Sequence, residues 1–445
     1  MKAPRLLPLT SALLLAMGAG LSAGAHAQSL IELYESARAY DASYQSARSQ
    51  YDANVAKADQ ARAGILPTAN LSAGISRSNF ENSNPVTDRS YGTRNATVSA
   101  SQPIYRPANW AGNEQGKKSA EIARAQLDAA EQDLIVRVSQ AYFDVLASQD
   151  SLAFVKAQKS AVAEQLAAAK RNFEVGTSTI TDTREAQARY DLVIAQEIAA
   201  ENDLRVKRIA LDQLVGKADA KPRGLAAPVA LPVLTPADVN AWVSQAEGTH
   251  PSIRQAELGV RVAELETDKA KAGHKPTLDA TASYNVTENR NGSTASGLNS
   301  RTNSANVGLS FNLPLFAGFA TQNRIRETLA LEEKARSDLD IAKRSVTQGT
   351  RTAFFGVLSG MGQVKALEAA EASSQSALDA NKLGYQVGVR INIDVLNSQS
   401  QLFQTKRDLA KARYDVLIGN LKLRQAAGTL KPEDLQLLNA LLAKQ

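Results

Sequence analysis

Two kinds of hydrophobic spacing alternate along this chain of 445 residues. The first has a period of two. In Ala69-Asn70-Leu71-Ser72-Ala73-Gly74-Ile75-Ser76 the odd positions are apolar and the even ones small or polar, and Asn95 to Ser101 alternates in the same way. Leu278, Ala280, Ala282, Tyr284 and Val286 alternate with Asp279, Thr281, Ser283, Asn285 and Thr287; Ala305, Val307, Leu309, Phe311 and Leu313 alternate with Asn306, Gly308, Ser310 and Asn312. This spacing puts the apolar residues on one face of a strand. It predicts four strands, paired at about 68–105 and 277–316. Each has the roughly ten residues that cross a bilayer at a tilt, and the small polar face suits a water-filled lumen. The stretches Asn79 to Thr93 and Glu288 to Thr302, rich in Asn, Ser, Thr and Gly, are predicted to be long extracellular loops joining each pair.

The second spacing is that of a coiled coil. From Asn113 to Val175 there is no proline, and Leu134, Val138, Ala141, Val145, Leu152, Val155, Val162, Leu166, Ala169 and Phe173 follow one alternating four-three seam, interrupted by Ser148 and Lys159. At about 1.5 Å per residue such a helix runs to roughly 90 Å. Arg324 to Gln386 is a second helix of the same kind. Helices at Asp182 to Val215 and Asp394 to Ala427, and those ending at Gly64 and Gly273, are about half as long. Stacked end to end, the short helices match a long one and form with it a wall of even height.

The two spacings recur because one unit is written twice. Ala61-Arg62-Ala63-Gly64-Ile65-Leu66-Pro67-Thr68 aligns with Ala270-Lys271-Ala272-Gly273-His274-Lys275-Pro276-Thr277, and Ala141-Tyr142-Phe143 with Ala353-Phe354-Phe355. Phe173-Glu174-Val175-Gly176 aligns with Tyr385-Gln386-Val387-Gly388, Asp182 with Asp394, and Leu214-Val215-Gly216 with Ala426-Ala427-Gly428. The expected divisions are a first repeat at 28–216, a Pro-rich linker at 217–236, a second repeat at 237–428 and a Leu-rich tail at 429–445. Pro222, Pro228, Pro232 and Pro236 forbid a continuous helix in the linker.

Residues 1–27 read as a signal peptide for export: Lys2 and Arg5, an apolar run around Leu13-Leu14-Leu15, then Ala25-His26-Ala27 as a small-x-small cleavage pattern. Cleavage removes two of the net +6 charges and leaves a nearly balanced chain, which gives no support to nucleic-acid binding. Cysteine is absent, so disulfides, thiolate metal sites and a lipid on an N-terminal cysteine are excluded. Only His250 and His274 remain after cleavage, and no phosphate-binding or metal-binding motif stands out, so no catalytic residue, cofactor or metal is expected. Aromatics make up 5%, which favours long, closely packed helices over thick cores.

Four strands leave two unpaired edges, which lipid does not tolerate, so the membrane reading requires copies to pool their strands. Two, three or four copies would each give a barrel within the usual range. Tyr105, Trp110, Phe316 and Phe319 stand where the strands leave the bilayer, as an interfacial belt would. A soluble β-sandwich edge in a periplasmic protein would show the same alternation.

At the far end of each long helix lies a Val-Gly turn, Val175-Gly176-Thr177 and Val387-Gly388-Val389. Gly suits a left-handed helix end, and Asp182 and Asp394 are placed to accept from the first amides of the next helix. These turns, with Ile180-Thr181-Asp182, Gly384-Tyr385-Gln386-Val387-Gly388-Val389-Arg390 and Ile393-Asp394-Val395-Leu396, together with Ala410 to Ile418 and Ala427-Gly428-Thr429-Leu430, resemble the TolC-like outer-membrane factor family across the whole mature chain. The resemblance implies a homotrimer in the outer membrane, with a twelve-stranded β-barrel continued by an all-α coiled-coil tunnel into the periplasm. It implies a passive exit duct for drug efflux or type I secretion, serving an inner-membrane pump of the RND, ABC or MFS type through a periplasmic adaptor that contacts the tip turns. It further implies a periplasmic gate in which Asp182 bonds Tyr385 within a subunit while Arg390 reaches Thr181 or Asp182 of a neighbour, and a cation-selective ring at Asp394. In close relatives within that family a second acidic residue lies one helical turn further, where this chain has Asn397, and the family's lipid-anchored branch has an N-terminal cysteine that this chain lacks.

The main competing reading is a coiled-coil adhesin held by a small barrel. An adhesin would carry its strands at the C-terminus, whereas here each strand pair is embedded in a repeat. A periplasmic enzyme is the third reading.

Overall fold

The computed structural model describes residues 27–443 apart from 85, 227, 228 and 230, so residues 1–26 of the expected signal lie outside the described residues. The first half runs α1 (Leu30–Tyr40), α2 (Ala42–Ala63), β1 (Thr68–Ser83), β2 (Val86–Tyr105), α3 (Pro107–Glu174) and α4 (Ile180–Val215). The same order follows as α5 (Val239–Thr249), α6 (Pro251–Ala272), β3 (Thr277–Arg290), β4 (Ser300–Asn312), α7 (Ala320–Gln386) and α8 (Asn392–Ala426), with α9 (Asp434–Asn439) in the tail. No helix among the described residues is long and apolar enough to cross a membrane.

The strands form one antiparallel sheet in the order β1-β2-β3-β4, leaving β1 and β4 as edges. Register puts like with like. Leu71 faces Val98, Val98 faces Tyr284 and Tyr284 faces Ala305; one step away Ala69, Ala100, Ala282 and Val307 form the next apolar row. On the other face the rows are Asn70, Ser99, Ser283, Asn306 and then Ser72, Thr97, Asn285, Ser304. The apolar face is uncovered, with Leu71 75% and Val307 90% exposed. A sheet in water buries such a face, whereas a sheet in lipid presents it and keeps its hydroxyls and amides inside.

The expected loop at Asn79 to Thr93 is instead almost all strand: pairing continues from Arg77–Gly92 out to Ser83–Val86. The second connection is also shorter than expected, since β3 runs to Arg290 and β4 starts at Ser300. Alternation detects only strands with one apolar face. A hairpin with no continuous apolar face makes the same main-chain ladder without that signal.

Below the sheet, α3 and α7 are 68 and 67 residues long, or about 100 Å each. Pro107 opens α3 at the first helical position, where its missing N–H costs nothing. The expected seam is buried at Leu134, Val138, Val145, Val155, Val162, Leu166 and Ala169, while Phe173 at its end is exposed. Both interruptions are matched by polar partners on α4: Ser148 Oγ donates to Asp203 at 2.6 Å, and Lys159 pairs with Glu197.

The short helices do stack. Gly216 ends α4 at φ +68, and a Cβ there would lie 2.4 Å from the ring of Tyr40, at the break between α1 and α2. Gly428, also at φ +68, follows α8, and a Cβ there would lie 2.5 Å from His250 Cα, at the break between α5 and α6. Each break thus seats the end of a returning helix, and α2 with α4, like α6 with α8, covers a long helix.

The first break is pinned by Asp41, whose carboxylate caps Tyr44 N at 2.8 Å and takes both Arg137 Nη atoms at 3.0 Å. Around it lies the main core, where Leu30, Leu33, Tyr142, Phe143, Leu211, Leu417 and Leu421 meet Leu435, Leu438 and Leu442 of the tail. The linker wraps this belt: Tyr142 Oη donates to Arg223 O at 2.9 Å, and Ala226 N to Leu441 O at 2.9 Å. No helix forms among the described residues of 217–236.

Where sheet meets helices, Arg106 grips Asp279 at the start of β3 with two bonds of 2.7 and 2.6 Å. Tyr105, Trp110, Phe316 and Phe319 are all exposed at this level, with Phe316 and Phe319 packed edge to face at 5.5 Å.

Candidate functional site

The tip of the helical region is built from two turns of identical design. Gly176 (φ +78) donates to Phe173 O and Thr177 to Asn172 O; Gly388 (φ +81) donates to Tyr385 O and Val389 to Gly384 O. These are the paired bonds of a Schellman motif, which satisfies the last carbonyls of a helix and requires a left-handed residue that glycine supplies. Val175, Val387, Val389 and Ile391 are between 61% and 75% exposed, and Thr177 is exposed beside them, so the tips are apolar where solvent would ordinarily favour polar side chains.

The helices that leave the turns start differently. Thr179 caps α4 in a full capping box: Thr179 Oγ1 accepts from Asp182 N at 3.2 Å, and Asp182 Oδ2 accepts from Thr179 N at 3.1 Å. Ser178 Oγ also donates to Asp182 Oδ2, at 2.8 Å. Burial pushes the Asp182 carboxyl up, but the bonds from Ser178 and Thr179 outweigh it and hold the group below the usual carboxylate range. Its repeat counterpart Asp394 does not cap. Ile391 stands at the cap position with no side chain to offer, and Asp394 instead lies 3.7 Å from Arg390 Nη1 of its own chain. The capping role expected of Asp394 is therefore corrected: a carboxylate at the third helical position completes a capping box only when Ser or Thr stands at the cap.

Three of the four expected gate residues share one cleft. Asp182, Tyr385 and Arg390 line it together with Asn172, Lys382 and Asn392, while Thr181, the fourth, is exposed and is not part of its lining. The bond expected between Asp182 and Tyr385 is not made. The Asp182 carboxylate is engaged by its own cap, and the Tyr385 hydroxyl accepts from Asn172 Nδ2 at 3.3 Å. Asn397, one turn along α8 from Asp394, accepts from Arg189 Nη2 at 2.8 Å. Sequence reasoning passed over Asn172, Gln165, Arg189 and Asn392. The available signal was the run Asn392, Leu396, Gln399 on one face of α8, a buried stripe that carries amides at two of three positions.

A four-stranded sheet with lipid-type and lumen-type faces, free edges and long helices beneath defines a subunit of a membrane-spanning duct. The match to known proteins agrees. The chain belongs to the family described as outer membrane efflux protein, whose model matches residues 33–217 and 242–429. It is 33% identical over 420 residues to the outer membrane protein TolC of Vibrio cholerae, covering 94% of this chain and 95% of that one. It is 30% identical over 426 residues to the alkaline protease secretion protein AprF of Pseudomonas aeruginosa, covering 94% and 88%. The crystal structure of the outer membrane protein VceC from Vibrio cholerae superposes with a TM-score of 0.75 at 19% identity, over 90% of this chain and 96% of that one, and shows the shared fold. The protein is an outer-membrane exit duct of the efflux and type I secretion class, extending into the periplasm.

Proposed function

We propose that three copies of this chain close a twelve-stranded barrel whose helices continue as one tunnel, and that the duct performs no chemistry of its own. The observation that carries this reading is the sheet: β1 and β4 end it with unpaired main-chain groups at the level of its most exposed apolar rows. In lipid each unpaired group costs several kcal/mol, so the edges must meet those of other copies. The helices support it. On α4, Leu192, Val206 and Ile209 are exposed, and on α7, Ile341, Phe355 and Leu358, giving each chain two apolar helix faces for its neighbours. Three copies supply twelve strands, which accords with the resemblance of the tip and repeat motifs to TolC-like ducts.

Thr181, Asp182, Tyr385 and Arg390 form the gate, with Arg390 free to exchange Asp394 for Thr181 or Asp182 of a neighbour. Asp394, repeated by symmetry, rings the narrow end with carboxylates and favours cations. The exposed apolar turns at Val175, Gly176, Thr177, Val387, Gly388 and Val389 dock a periplasmic adaptor that carries cargo from an inner-membrane pump.

The test is export. Expressed in a Gram-negative cell deprived of its own duct, together with an inner-membrane pump and adaptor that work with ducts of this family, the chain restores drug resistance or secretion of the pump's cargo. Failure to restore either, with the protein assembled in the outer membrane, overturns the reading.

A further inference from the structure

Each chain carries two helical hairpins to the tip, α3 with α4 and α7 with α8, and on the gate reading above the tunnel opens when one hairpin moves against the other. Leu396 of α8 is wholly buried in the core of the first hairpin, among Val155, Val162, Leu166 and Val193. Apolar contact of this kind resists separation but tolerates sliding, because it has no direction. One turn nearer the tip, Asn392 is also wholly buried. Its Oδ1 accepts from Gln165 Nε2 of α3 at 2.5 Å, and its Nδ2 donates to Asp182 O of α4 at 3.2 Å.

From this geometry we infer that Asn392 is the latch that sets the resting position of the second hairpin, doing within each subunit what a bond between Asp182 and Tyr385 would otherwise do. The inference rests on the gate reading above and adds a residue to it. Both ends of the amide are engaged, by different helices of the same hairpin, so the bonds are satisfied together in one relative placement. Any swing of α8 away from α3 and α4 leaves the wholly buried Asn392 amide without partners at both ends and takes from half-buried Gln165 the acceptor of its amide. The cap of α4 adds to the effect, since the box around Thr179 and Asp182 fixes the carbonyl to which Asn392 donates. Tyr385 to Asn172, at 3.3 Å, is a longer and more peripheral link.

A net neutral hydrogen bond contributes about a factor of five to an equilibrium constant. Asn392→Ala removes two, and so raises the open-to-closed ratio about twenty-fivefold per subunit, whereas Gln165→Ala removes one. The experiment is single-channel recording of the purified full-length protein in planar bilayers, with trimer content checked on unheated gels. The expected order of conductance is Asn392→Ala above Gln165→Ala above the parent, with the double variant equal to Asn392→Ala alone. Intact Asn392→Ala trimers that conduct like the parent, while Tyr385→Phe with Arg390→Ser conducts more, overturn the latch and leave the gate standing. If neither set changes conductance, the gate reading itself fails. If the two alanine effects multiply in the double variant, the residues act separately and there is no shared latch.

Discussion

Replacing Asp41 by alanine tests whether the break between α1 and α2 is held as described. The substitution removes the cap on Tyr44 N, worth about 1 kcal/mol, and the paired bonds to Arg137, worth about 1.5–3 kcal/mol as a charge-assisted contact. Arg137 keeps Asp133 at 2.6 Å and is about one-third exposed, so the cost of a stranded cation is small. The expected loss is about 3 kcal/mol per chain, while Asp41→Asn, which retains a capping oxygen, loses about 2 kcal/mol. The pH dependence follows from the carboxyl, which the Arg137 bonds hold below the usual range. Because the folded value lies below the unfolded one, the stabilisation is complete above the unfolded value of about 3.9 and is lost as pH falls through the folded value. Thermal unfolding of the purified protein in detergent, followed by circular dichroism, should show a midpoint about 3–6 °C lower for Asp41→Ala at pH 7. The gap to the parent should narrow only below about pH 4. An unchanged midpoint at pH 7, or a gap that persists undiminished at pH 3, refutes the clamp.

Three further outcomes follow from the geometry. Gly216→Ala forces a side chain into the left-handed region and against Tyr40, at about 1–2 kcal/mol for the backbone plus the clash; a lower unfolding midpoint is expected, partly restored by Tyr40→Ala, and an unaltered midpoint contradicts the stacking of α4 beneath α2. Tyr385→Phe combined with Arg390→Ser should raise single-channel conductance in planar bilayers, and an unchanged value removes these residues from the gate. Bulky residues at Gly176 and Gly388, where an added Cβ would meet no neighbouring atom within 4 Å and the strain of a positive φ falls on the turn itself, should abolish drug resistance while trimers persist on gels; normal resistance argues against docking at the turns.

Much of this architecture is legible in the sequence because two periods carry it. The alternation around Leu71 and Val307 marked the lipid face, and the four-three seam through Val138 and Val162 marked α3, since in both cases one face meets an apolar partner. Legibility fails where that contrast disappears. The hairpin beyond Arg77 carries isolated Phe80, Val86 and Tyr91 among polar residues and has no continuous apolar face, so its strands read as loop although their main chains pair. At the tip, the repeat made Asp182 and Asp394 look equivalent, and only the residues three places earlier, Thr179 and Ile391, separate a capped carboxylate from an uncapped one. Asn392 was illegible for a different reason: its role depends on Gln165 and on a carbonyl of α4, residues far apart in the chain that the fold alone brings together.

The strand arrangement also separates the competing readings. An adhesin anchored by a C-terminal barrel segment has no place for strands between α2 and α3, and a soluble sandwich has no use for rows such as Leu71, Val98 and Tyr284 left open to the surroundings.

The central claim is that this chain forms a conducting tube only as an assembly whose copies complete one another's sheet. The most direct measurement is to add the purified full-length protein to a planar lipid bilayer after resolving its oligomers by cross-linking. The trimer fraction should insert and give discrete, uniform conductance steps while the monomer fraction gives none. Conductance from monomers, or trimers that never conduct even with the gate substitutions in place, would contradict it.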